Sequence, residues 1–183
     1  MYALNYRFTH LARGFAALLC SISFVATTMS NAQEPETVEV TSSAFEHHGM
    51  VAEEFSGYGA NASIDLNWAN LPEGTVQLAL ICDDPKVVEL GMMPAPFVHW
   101  VAYNIPAGAS GLPRGMARDA EITGIISLEG MINGVNGLGR TGYFGPRPPA
   151  NGQLHAYHFR VYALDADLAL VPGLNAEELR AAM

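Results

Sequence analysis

Hydrophobic residues in this chain recur mostly at every second position. Ile64, Leu66 and Trp68 alternate with Asp65 and Asn67, and Val76, Leu78, Leu80 and Cys82 alternate with Gln77, Ala79 and Ile81. Successive side chains of a strand point to opposite faces, so this period predicts strands rather than helices. Two further runs, Phe97 to Ile105 and His155 to Leu164, are apolar on both faces and are predicted to be central strands of a sandwich. Leu71-Pro72-Glu73-Gly74 reads as a turn, and the stretch from Gly130 to Gly145 as a glycine-rich connection. One helix is predicted, at the C-terminus, where Asn175 can cap and Glu178 stands at the reciprocal capping-box position. The pattern shows no internal repeat and no second domain, and predicts a mainly β protein.

The N-terminus departs from this pattern. Arg7, His10 and Arg13 flank or precede an apolar run from Gly14 to Val25, and Ser30-Asn31-Ala32 offers the small residues that a signal peptidase requires. A secretory signal peptide over residues 1–32 is expected, because the run is shorter than the roughly 20 apolar residues of a spanning helix. Cys20 follows Leu19, where lipoprotein signals carry a small residue, which argues against a lipid anchor at that cysteine. Residues 33–40 are then an N-terminal tether and 41–183 the folded domain, in a periplasmic or secreted protein. Loss of Arg7 and Arg13 moves the formal charge from −9 to −11. A surface this acidic disfavours nucleic acid and strong electrostatic binding to anionic membrane, since both are gripped by clustered Lys and Arg. Only Cys82 remains after cleavage, so no intrachain disulfide is expected and stability must come from burial.

The chemistry-bearing residues collect at strand ends. Asp84 ends the strand that begins near Thr75, and His99 lies early in the next strand. If the two pair antiparallel, the end of one lies beside the start of the other. His155 opens its strand directly after the proline-rich loop Gly145 to Pro149, and Tyr157 shares its face. Each residue alone has an ordinary explanation: Asp84-Pro85 as a turn opener, His99 as a hydrogen-bonded core histidine, Tyr157 as packing. His158 falls on the opposite face from His155 and reads as a residue outside the site. His47-His48 has no further His or Cys at ligand spacing, so no metal site is expected. The Gly130 to Gly145 stretch lacks the context and the lysine of a phosphate loop, and no Gly-x-Ser-x-Gly elbow is present.

Two longer motifs add to this reading. Phe97-Val98-His99-Trp100-Val101-Ala102-Tyr103-Asn104-Ile105-Pro106 resembles the central strand of the phosphatidylethanolamine-binding family, in its bacterial Raf-kinase-inhibitor-like branch. Gly139 to Pro149, followed by His155 to Asp165, is similar to the same family's second signature, and the resemblance runs from about Thr41 to Met183. It implies an antiparallel two-sheet β-sandwich with a short C-terminal helix. It also implies a pocket for phosphate, acetate or a phospholipid head group, carried residue by residue onto Asp84, His99, His155 and Tyr157. Pro85 and the loop residues Gly145, Pro146 and Pro148 are expected among the ligand-binding residues with them. Imidazole and phenol groups would donate to the anion, amides near Gly145 would add to them, and the carboxylate would hold one histidine in its donor form. No cofactor is implied.

Three departures from the family pattern bear on the site. Lys86-Val87-Val88 replaces the usual acidic residue and second proline, which gives the rim an added positive charge if Lys86 turns inward. Ala156 stands where Arg is usual. The chain also stops within its helix, where relatives continue, so the site is expected to be more open than theirs unless the sequence is a fragment. The leading functional reading is an exported module binding a small anion or a phosphorylated head group. A protein-interaction inhibitor of a protease or kinase is a second reading, and acid–base catalysis by Asp84, His99 and His155 a third, for which no nucleophile is evident.

Overall fold

The computed structural model describes residues 2–5 and 37–183. The remainder of the expected signal segment, and residues 33–36 of the expected tether, lie outside the described residues. Five strands form the larger sheet, in the order β1 (Tyr2–Asn5), β8 (Ala156–Leu164), β4 (Gln77–Asp84), β5 (Phe97–Pro106) and β7 (Ile132–Asn133). The smaller sheet contains β2 (Glu39–Thr41), β3 (Leu66–Ala69) and β6 (Gly111–Leu112). Pairing is antiparallel throughout except for β1, which runs parallel along β8 at the sheet edge.

Apolar residues on both faces explain why β4, β5 and β8 form the centre. All eight residues of β4 are buried, because it has a strand on each side and packing on both faces. Leu78, Leu80 and Cys82 point into the space between the sheets, where they meet Trp68, Trp100 and Phe159. Ala79 and Ile81 point the other way and, with Val101 and Tyr103, pack against Leu179 of α2 (Ala176–Ala182). The large sheet is therefore a wall between two cores, each side chain of its middle strands being assigned to one core by parity. Val76, grouped with this strand by its periodicity, lies just before it and is exposed, although its amide still donates to the Leu164 carbonyl at 2.8 Å.

The terminal helix starts where its sequence predicts. The Asn175 side chain accepts the Glu177 and Glu178 amides, while the Glu178 carboxylate accepts the Asn175 amide, closing the capping box. A second, single-turn helix, α1 (Lys86–Glu89), follows Pro85 and has no counterpart in the sequence reading. Four residues are too few to display a helical period, and only Val87 among them is buried.

Val101 is fully buried in the core beneath α2. Val101→Asp should place an unpaired charge there and cost several kcal/mol, enough to unfold a domain of ordinary stability. Thermal denaturation of the soluble variant checks this; an unchanged transition would contradict the position of the strand.

Candidate functional site

Strand parity at the end of β4 builds the site. Asp83 and Asp84 are adjacent, both almost fully buried, and point to opposite faces of the sheet. Asp84 turns towards the loop that precedes β8. Its Oδ2 accepts a 2.6 Å hydrogen bond from His155 Nδ1, and its Oδ1 accepts the Lys86 amide at 2.9 Å, so the first turn of α1 caps the carboxylate. Antiparallel pairing places Asp84 opposite Phe97, two residues before His99. His99, His155 and Tyr157 are buried on the same side, and with Asp84 they floor a cavity of about 440 Å³.

Each polar group on that floor has a defined hydrogen-bonding role. The His99 Nδ1–H donates to the Phe144 carbonyl at 2.7 Å, while the Phe144 amide donates back to the His99 carbonyl at 2.8 Å. A carbonyl only accepts, so Nδ1 carries the hydrogen and Nε2 is the polar atom left for the cavity. Burial lowers the His99 pKa to about 4, outweighing the raising effects of the Phe144 bond and of Asp84, so the ring is neutral near pH 7. His155 donates from Nδ1 to Asp84, and its Nε2 is buried without a hydrogen-bond partner. Burial, with Asp84 as the next cause, raises the Tyr157 pKa, so its hydroxyl keeps its proton.

Apolar residues and two arginines complete the walls. Val87, Phe97, Phe144 and the exposed Met92, Met93 and Leu138 form the sides, and Arg140 and Arg147 stand at the mouth. The Arg147 guanidinium also lies 5.4 Å from the centre of the Tyr58 ring. The motif reading carried Arg140 and Arg147 only as residues of the loop signature, and gave Met92, Met93 and Leu138 no role. The clustering of Met92-Met93 just ahead of the central strand is the one signal that could have marked the apolar side.

Of the residues expected at the site, Asp84, His99, Pro148, His155 and Tyr157 line the cavity, whereas Pro85, Gly145 and Pro146 do not. Pro85 sits at the N-terminal cap of α1. The Gly145 amide is occupied by the Asn61 side chain at 2.6 Å, so it does not point at a ligand. Gly145 serves close packing instead: a Cβ there would stand 2.1 Å from the Phe55 carbonyl oxygen. The Pro146 carbonyl accepts the Gly57 amide, and the Tyr58 hydroxyl donates to the Pro148 carbonyl. Segment 55–61 thus clamps the proline loop from outside. Lys86 does not supply a rim charge, because its ammonium pairs with Glu89 at 2.7 Å on the surface of α1. Each imidazole spends its Nδ1–H on a protein acceptor, so in the neutral form either ring turns an accepting Nε2 to the cavity, which differs from the expectation that imidazole groups donate to an anion.

His158 lies off the cavity, as its parity requires. Its Nδ1 accepts from Arg160, and Arg160 in turn binds Asp83 at 2.6 Å; Arg180 of α2 reaches the same carboxylate at 3.0 Å. Burial first, and the Arg160 charge second, lower the His158 pKa.

The neutral burial of His99 fixes a pH dependence. Between its ordinary value of 6.5 and about 4, the unfolded chain binds a proton at this residue that the folded chain refuses. Its contribution is therefore fully present above pH 6.5 and is lost as pH falls towards 4, on the order of 3 kcal/mol at full extent. Urea unfolding at pH 7 and pH 4.5 should show a smaller acid loss in His99→Gln than in the wild type. An equal loss would mean that the imidazole is not held neutral.

Comparison with known proteins follows the same lines. A family-wide sequence profile described as phosphatidylethanolamine-binding protein matches residues 41–183. A UPF0098 protein of Methanothermobacter thermautotrophicus is 36% identical over 140 residues, which cover 76% of this chain and 85% of the relative. A Mycobacterium tuberculosis protein named as a lipoprotein, LppC, is 36% identical over 148 residues, covering 81% of this chain and 65% of that protein. Among solved structures, Escherichia coli YbcL, described as a member of the mammalian PEBP family, superposes with a TM-score of 0.69 at 26% identity. The match covers 79% of this chain and 87% of that one.

Proposed function

The chain belongs to the phosphatidylethanolamine-binding protein family, and on that premise we propose that it is an exported module that binds a small anion or a phosphorylated head group in the cavity floored by Asp84, His99, His155 and Tyr157. The observation that carries this reading is the pairing of unspent polar atoms with a cationic mouth. His155 Nε2 is buried and unpartnered, which a ligand atom would remedy, and the Tyr157 hydroxyl borders the same space. On a protein of net charge −9, Arg140 and Arg147 both stand at this one opening, where they would draw in an anion that the rest of the surface repels. The exposed Met92, Met93 and Leu138 favour a second reading, a protein partner docked over the mouth.

Calorimetric titration with phenyl phosphate tests the first reading. Tyr157→Phe removes one hydroxyl without opening a void and should weaken binding by roughly 1.5–3 kcal/mol, the scale of a hydrogen bond to a charged group. His158→Ala, on the opposite face, should change binding little. Equal losses in the two variants would move the site elsewhere.

Export is supported by the Arg7 to Ala32 pattern and by the lipoprotein name of the mycobacterial relative. Cleavage would also remove β1, which lies at the edge of the sheet, and leave the β8–β4–β5 centre intact. N-terminal sequencing of the exported protein should begin at or near Gln33, and an intact Met1 on a membrane-embedded species would refute the assignment.

A further inference from the structure

Another cavity, of about 440 Å³, opens at the far end of the large sheet from Asp84. Its floor is made by Gln77, the first residue of β4, and Asn104, near the end of β5. Gln77 and Asp84 terminate the same extended strand, roughly 23 Å apart at about 3.3 Å per residue, and the two cavities share no side chain. Parity puts Gln77 on the α2 face of the sheet with Ala79 and Ile81. It is only 5% exposed, and its Nε2 is buried with no hydrogen-bond partner. Asn104 reaches the same face through an irregularity. The β4–β5 register slips between Leu78 and Leu80, so that Tyr103 and Asn104 both fall opposite Ala79, and Asn104 takes a φ of +52°. These two successive side chains therefore reach one loop: the Tyr103 hydroxyl donates to the Val171 carbonyl at 2.9 Å, and Asn104 Nδ2 donates to the Leu170 carbonyl at 2.8 Å. A carbonyl only accepts, so the Asn104 amide is fixed with Oδ1 as its remaining polar atom, and that atom too is buried without a partner.

The rim of this cavity is acidic. Glu129 and Asp167 line it and are exposed, and among the described residues no Lys, Arg, His or aromatic ring does so. Asp167 spends one carboxylate oxygen on the Ala169 amide at 2.9 Å and keeps the other. No protein bond fixes which end of the Gln77 amide faces inward, among the described residues, so it can turn its carbonyl oxygen to a ligand. Floor and rim together thus offer acceptors and negative charge. We propose that this end of the sheet is a second binding site, for the primary ammonium group of a small aliphatic amine, with Asn104 Oδ1 and the turned Gln77 amide as its buried acceptors and Glu129 and Asp167 as its counter-charges. An ammonium has three donors and no acceptor, which matches that set. A trimethylammonium group has no donor and is held by aromatic faces, which this cavity lacks, while a neutral hydroxyl forgoes the attraction of the rim. The inference is independent of the anion reading of the cavity at Asp84.

Three probes of one chain length separate the possibilities when titrated into the isotope-labelled protein and followed by the amide resonances. Butylamine carries both the charge and the donors, butyltrimethylammonium only the charge, and butan-1-ol only a hydroxyl. Butylamine should shift the side-chain amides of Gln77 and Asn104 at pH 7, and should bind at least about tenfold more tightly than either of the others, the consequence of losing charge-assisted hydrogen bonds. Gln77→Met keeps the shape of the side chain and removes its amide. Because that amide has no partner in the fold, the melting temperature of the variant should be unchanged or raised, while its butylamine affinity falls at least about tenfold. Equal binding of butyltrimethylammonium reduces the effect to attraction by an acidic surface, and equal binding of butanol removes the role of charge; either result overturns the inference, as does a butylamine titration that leaves the two side-chain amides unmoved. A lowered melting temperature with undiminished butylamine binding in Gln77→Met makes Gln77 a structural residue satisfied by water and overturns it as well. The comparison of probes on the wild type decides the matter whether or not the variant folds.

Discussion

Two adjacent carboxylates buried at the end of one central strand set the terms for much of this structure. An unpaired charge in such a place costs several kcal/mol, so each aspartate requires partners, and strand parity sends them to opposite sides. Asp84 finds His155 and the amide of Lys86, and thereby ties the start of β8 and the first turn of α1 to the cavity. Asp83 finds Arg160 and Arg180, and thereby fastens α2 onto the back of the sheet. The floor of the site and the docking of the C-terminal helix are therefore held at successive residues of the same strand. A change that shifts β4 in register would exchange the two environments and leave both carboxylates with the wrong neighbours.

The cavity combines three chemistries in layers. Its floor is polar and rigid, with each imidazole held by its Nδ1 and the opposite nitrogen left over. Its sides are apolar, partly from flexible Met92 and Met93, which can adapt to an irregular surface. Its mouth carries two guanidinium groups on an otherwise acidic protein. On the proposed reading as an anion site, such layering would separate attraction from recognition, the arginines acting at a distance and His99, His155 and Tyr157 by contact.

Much of this was legible in the amino-acid order. Period-two alternation located β4, runs apolar on both faces located β5 and β8, the Asn175 and Glu178 pair located α2, and antiparallel strand ends brought Asp84, His99, His155 and Tyr157 to one side. These succeed because they depend on local geometry: side-chain parity, capping, and the reversal of direction between paired strands. Other features depend on segments distant in the chain. The Gly145 amide was lost to the site because Asn61, 84 residues away, occupies it, and Lys86 was lost because Glu89 on the same short turn captures its charge. The hydrogen-bonding sense of His99 rests on a carbonyl 45 residues further on and on the depth of burial around the ring. Residue type and spacing thus determined which groups share the floor of this cavity. Which of them donate, which accept and which are already occupied was decided only by tertiary packing, because a hydrogen bond's direction depends on the partner that the fold supplies.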